Sequence, residues 1–172
     1  FDQPDLKARF GLTVNSPKDW TIVSNSPVSG IIYGNCGQPA QINIATDRTG
    51  STLSHSESPC KIWGFSETRP ISSYVYAFAA GPFEKFAPDS LEAGLPAKTA
   101  NVDRRARPPL NGSVFVRKSQ AAKFKPHAAE VFRLNREAIR YFEDYFDYRF
   151  PFPKYDLVVI PEFPFGGMEH AG

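Results

Sequence analysis

Residues 126–160, PHAAEVFRLNREAIRYFEDYFDYRFPFPKYDLVVI, carry two structural rhythms in one stretch. Val131, Leu134, Ala138, Phe142 and Tyr145 recur at steps of three and four, the spacing that lines side chains along one face of an α-helix. Phe132, Ile139 and Phe146 widen that stripe. Pro126 suits the first turn, where its missing N–H has no helical partner to lose. Pro151 and Pro153 end the element, because proline disfavours helix in the residue before it. Arg149 is expected in the last turn, at the negative end of the helix dipole. The apolar run in YDLVVIPE then predicts a buried strand. The stretch therefore predicts a helix over about 126–148 followed by a strand.

Upstream the rhythm is different. RFGLTVN alternates Phe10, Leu12 and Val14 with period two, the mark of a half-buried strand. WTIVSN, GIIYG, QINIAT, KIWGF and GSVFVRK are further short runs of β type, divided by turn clusters such as SPKD and NCGQP. ISSYVYAFAAGPF is apolar on both faces and predicts a long central strand covered on both sides. Sixteen prolines spread along the chain suit many short strands better than a helical bundle. The fold class that follows is a mainly β N-terminal domain, a sandwich or saddle-like sheet, over residues 1–118. The first helix and strand of an α/β unit follow, over 119–172. That second piece is too short to hold a core alone and reads as the opening of a larger domain.

Composition narrows the function classes. Of 172 residues 41% are apolar, enough to bury a core. Twenty basic and 18 acidic residues leave a formal charge of +2, which makes no electrostatic case for nucleic acid or anionic lipid. The one basic cluster, Arg104 to Pro108, precedes another proline and reads as an exposed loop. No apolar run in this segment reaches the roughly 20 residues of a membrane span. Both ends read as cut, since the chain opens at Phe1 inside a motif, so the compartment stays open. Cys36 and Cys60 fit either a disulfide in an oxidising compartment or buried thiols in a reducing one.

Chemistry-bearing residues are few. His55, His127 and His170 are far apart, and no two have the i, i+4 spacing of helical metal ligands, so no metal site is expected within this chain. Glu143, Asp144 and Asp147 flank the apolar stripe and read as a wet helix face rather than an acid–base pair. No serine stands in a nucleophile elbow. What remains is PEFPFGGMEHAG, residues 161–172. Gly166 and Gly167 let a backbone approach a ligand, and Glu169 follows with a carboxylate. From composition alone the same string also reads as a plain turn with an exposed glutamate.

Four stretches, in order, give this string a further meaning. FGGMEH resembles the Gly-x-Met-Glu-Asn exopeptidase signature of the zinc aminopeptidases, the family of aminopeptidase N, puromycin-sensitive aminopeptidase and leukotriene hydrolase. FDQPDLKARF resembles that family's D-E-P-x-x-K-A-x-F stretch. FSETRPISSYVYAFAAGPFE resembles its T-x-P-M-S-[ST]-Y-L-x-A-F strand. FEDYFDYRFPFPKYDLVVIPEF resembles the run that leads into the signature. The resemblance implies that residues 1–118 are the later part of the β domain and that 119–172 begin a thermolysin-like catalytic domain. It implies zinc in the full-length protein, held by a helix with H-E-x-x-H and a distal Glu downstream of residue 172, and none bound here. Gly166, Gly167, Met168, Glu169 and His170 become substrate-binding residues, and no catalytic residue lies in this fragment.

By the same resemblance, Glu169 binds the free α-amine of a peptide substrate. Only a chain end carries an ammonium near neutral pH, since an α-amine titrates at about 7.7–8.0. A carboxylate held at a fixed distance from the metal would then act as a ruler that admits only the first peptide bond. A peptide lacking the amine would leave a desolvated carboxylate unpaired, at roughly 3–5 kcal/mol. His170 departs from the signature, which has Asn there. An imidazole replaces part of an amide's hydrogen bonding, and it can also carry charge and weaken the pull on a cationic amine. The expected function is a fragment of a zinc-dependent aminopeptidase. The alternatives are a non-catalytic scaffold or binding module that kept the fold, and a relative acting on something other than a peptide.

Overall fold

The computed structural model describes residues 5–35, 59–88, 112–164 and 166–172. The expectations placed on QINIAT, His55, Cys36 and the basic cluster at 104–108 lie outside the described residues. The chain falls into two compact units, Phe1–Phe83 with Pro161–Gly172, and Glu84–Ile160.

In the first unit the period-two runs become strands. β1 (Thr13–Pro17), β3 (Val28–Asn35) and β4 (Pro59–Phe65) form an antiparallel sheet in the order β1-β4-β3, with Val14 opposite Trp63 and Ile31 opposite the same residue on the other side. The alternation is real: Leu12, Val14 and Ser16 are buried and Thr13 is exposed. Leu12, Val14, Trp63 and Phe65 build the core with Ile22, which comes from β2 (Thr21–Ser24). Ser16 sits at a core position without cost, because its Oγ accepts the Trp63 indole N–H at 3.0 Å.

β2 pairs antiparallel with β5 (Phe78–Gly81) in a separate two-stranded sheet. Here the expected long central strand fails. Ser73–Val75 is a 3-10 turn, the strand shrinks to four residues, and Tyr74 and Phe78 are exposed. The reason lies in the hydrogen bonds. Between the turn and β5, main-chain groups of Val75 and Ala77 are bound by the side chains of Ser24 and Asn25, not by a neighbouring strand. Apolarity on both faces was a misleading signal, because side chains had replaced the ladder.

The second unit holds β6 (Phe83–Phe86), β7 (Val114–Arg117) and β8 (Leu157–Val159) in the order β6-β7-β8. β7 and β8 are parallel, Phe115 opposite Val158, so a crossover must join them. It consists of α1 (Lys118–Phe124), a 3-10 turn at Lys125–His127 and α2 (Ala128–Phe146). Helix thus begins eight residues before Pro126, in a stretch the apolar period did not mark, and the proline opens the turn between two helices. Phe86, Val114, Val116, Ala121, Ala128 and Phe132 form the core.

The apolar stripe of α2 is buried only at its start. Ala128 and Phe132 are covered, whereas Leu134, Phe142 and Tyr145 are 51%, 54% and 69% exposed. Length accounts for this. A helix of 19 residues is about 28 Å long, while strands of three and four residues span only about 10–13 Å. β8 is likewise half-covered rather than buried, as its place at the sheet edge dictates. α2 stops earlier than expected, at Asp147, whose φ of 47° turns the chain out of the helix. Arg149 therefore lies beyond the last turn. The Glu143 carbonyl accepts the N–H groups of Asp147 and Tyr148, and its Oε1 accepts that of Phe150 at 2.9 Å. Glu143 is a helix-end fastener rather than a solvated charge.

The ends of β7 and β8 meet closely. A Cβ on Gly112 would run into the Tyr155 carbonyl. Asp156 accepts the Ser113 N–H at 2.9 Å through Oδ1 and pairs with the enclosed Lys154 ammonium at 2.8 Å through Oδ2.

Candidate functional site

The segment 166–172 belongs to the first unit. Gly166, Gly167, Met168, Glu169 and His170 are all exposed. A Cβ added to either Gly166 or Gly167 would meet nothing within 4 Å, so the space beside this stretch of backbone is open. Neither glycine has positive φ; in this segment that conformation falls on Gly172, at φ 100°. The backbone freedom expected of the glycine pair is thus used further along.

The segment is tied down just past its exposed part. Ala171 is buried; its N–H donates to the Val75 carbonyl at 3.3 Å, and its carbonyl accepts from Asn25 Nδ2 at 2.6 Å. Gly172 packs so closely on the Asn25 main chain that a Cβ there would strike the Asn25 carbonyl. Asn25, 7% exposed, also donates from Nδ2 to the Val75 carbonyl at 2.9 Å and accepts the Ala77 N–H on Oδ1 at 2.7 Å. Ser24 Oγ donates to the Ala77 carbonyl at 2.9 Å. Tyr76, between these two carbonyls in sequence, stacks on Phe10 with ring centroids 4.5 Å apart. Burial pushes its phenol pKa up, and a hydrogen bond with Ser24 opposes that in part.

The five sequence-predicted residues are therefore contiguous, solvent-facing and anchored at one end by a buried amide. Sequence reading missed that amide. SNSP, residues 24–27, looks like an ordinary turn cluster, and nothing local says that its asparagine is buried. His127 is exposed at the start of α2. Among the described residues no group of three or more His, Cys, Asp or Glu side chains could hold a metal ion, and no helix is long and apolar enough to cross a membrane. Cys60 is buried and disulfide-bonded.

Comparison with known proteins adds the family. The model of the peptidase family M1 domain matches residues 131–172. Aminopeptidase N of Streptomyces lividans is 33% identical over 172 residues, all of this chain and 15% of that protein. Glutamyl aminopeptidase of Sus scrofa is 27% identical over 176 residues, covering 100% of this chain and 14% of the relative. Leucyl aminopeptidase of Saccharolobus solfataricus is 26% identical over 172 residues, 100% of this chain and 16% of the relative. The chain thus spans about one seventh of these relatives' length. A domain model on the stretch that ends in FGGMEH and aminopeptidases aligned along the whole chain support the M1 aminopeptidase family.

Proposed function

We propose that this chain is part of an enzyme that removes residues from the N-termini of peptides, and that Glu169 receives the α-ammonium of the substrate. The observation that carries the reading is the placement of Glu169: exposed, on an open glycine edge, two residues from a buried anchor. A carboxylate in that setting offers a cation an acceptor on a fixed stem. In open solvent such a pair is worth roughly 0–1 kcal/mol. Its value rises when the bound peptide excludes water, and discrimination against a blocked N-terminus rises with it. Gly166 and Gly167 leave room for the substrate backbone, with Met168 and His170 flanking the carboxylate. The domain division is placed at 118/119, with the catalytic domain beginning there.

Family membership implies zinc, which would polarise the scissile carbonyl in the whole protein. The described residues of this chain supply no ligand set for it. We place those ligands downstream of residue 172. His170, where the signature has Asn, is the feature that favours the second reading, a non-catalytic relative that kept the fold.

The test is Glu169→Gln in the complete zinc-loaded enzyme, assayed on an aminoacyl reporter. The expected outcome is a fall of about 10–100-fold in kcat/KM, mostly through KM, as befits a charged hydrogen bond worth about 1.5–3 kcal/mol. An unchanged kcat/KM overturns the assignment. A complete protein that binds no zinc and hydrolyses no reporter supports the scaffold reading.

A further inference from the structure

We propose that Asn25 is the positioning residue for the amine-binding segment, a role that rests on the reading of Glu169 given above. One side-chain amide uses both of its donors and its acceptor on main-chain groups of two other segments: Val75 O, Ala171 O and Ala77 N. Its oxygen and nitrogen are thereby fixed in orientation, since exchanging them would set an acceptor against two carbonyls and a donor against an N–H. Gly172, at φ 100°, allows the chain to lie on the Asn25 main chain where any side chain would collide. The same asparagine thus grips the end of the segment with its side chain and seats it with its backbone.

The leverage follows from distance along the chain. Residues 166–170 are exposed, and nothing packs into the space beside either glycine. The covered residue next to them is Ala171, two positions from Glu169. In extended chain two residues span only about 7 Å. A shift of the Ala171 carbonyl therefore reaches the Glu169 stem with little loss, and a charge-assisted hydrogen bond depends on a separation near 2.8 Å. Removing the amide leaves the Ala171 carbonyl and the Ala77 N–H without their side-chain partner. The Val75 carbonyl keeps the Ala171 N–H. The end of the segment then stays attached while its position loosens, which separates positioning from folding.

The experiment is a double-mutant cycle in the complete zinc-loaded enzyme: Asn25→Ala, Glu169→Gln and both together. kcat and KM are measured on a free-amine reporter, with zinc content and the thermal melt as controls. Asn25→Ala is expected to raise KM about tenfold with kcat within about twofold, the scale of losing buried hydrogen bonds. In the Glu169→Gln background the same change is expected to add less than about twofold, because the group it positions is already disabled. An unchanged KM in Asn25→Ala, or the same tenfold rise in both backgrounds, overturns the proposal while leaving Glu169 in place. Wild-type kinetics in Glu169→Gln sinks both readings together. If Asn25→Ala loses zinc or its cooperative melt, Asn25→Ser takes its place with the same expected outcomes, since its hydroxyl is one bond shorter, cannot hold both carbonyls, and brings no charge against them. If neither variant folds, Asn25 serves the fold and the positioning role is overturned.

Discussion

At the scale of a single residue, Tyr76 turns burial into a pH effect. Its phenol pKa is raised above the usual 10.0, first by burial, with Ser24 pulling the other way. The fold therefore favours the neutral phenol. That contribution is complete below about pH 10 and is lost as pH climbs through the higher value in the folded state. Alkaline denaturation followed by phenolate absorbance should show one tyrosine ionising late, and Tyr76→Phe should remove that late step and flatten the loss of stability above pH 10. Residues of this kind are poorly legible in a sequence. Tyr76 and Asn25 owe their properties to partners 50 to 146 positions away or to stacking on Phe10, and no local pattern encodes such separations. The exposed setting of Glu169 was legible for the opposite reason: the open glycines that border it are its neighbours in sequence.

At the scale of an element, α2 shows what periodicity can and cannot say. The three-and-four spacing located the helix, because that spacing is a property of the element itself. It did not say how much of the stripe would be covered, because coverage depends on the lengths of β7 and β8. α1 went unread since a single buried residue, Ala121, leaves no stripe to detect. The long strand expected over 71–83 failed because side chains of Ser24 and Asn25 took the place of a neighbouring backbone. The helix end offers a test. Asp147 holds φ 47°, where a side chain is strained and glycine is not. Asp147→Gly should stabilise the protein by about 0.5–1 kcal/mol, read as a higher midpoint in denaturant at unchanged slope. Gly112→Ala should do the reverse, costing about 2 kcal/mol or more, because its new methyl must displace the Tyr155 carbonyl.

At the scale of the molecule, exposed aromatic surface stands out. Tyr141, Phe142, Tyr145 and Phe146 form a chain of ring contacts along α2, with centroids 5.0–6.1 Å apart, and all four are exposed. A formal charge of +2 offers little repulsion to oppose association through such a surface. The 172-residue chain should therefore bind a hydrophobic dye and self-associate with rising concentration. The double change Tyr145→Lys and Phe146→Lys should reduce both, with helix content by circular dichroism unchanged. Equal dye binding and sedimentation in the two proteins would dismiss the surface as the cause.

The bond between Asn25 and Ala171 spans 146 positions. A ribosome delivers the asparagine 146 positions before its last acceptor, so the grip on the glycine-edged segment becomes available only after the strands of the same unit have been made. Closing so long a loop is slow compared with forming a hairpin. The geometry that would recognise a substrate therefore matures after the sheets that support it, and a ribosome paused short of residue 171 holds a receptor with nothing yet to receive.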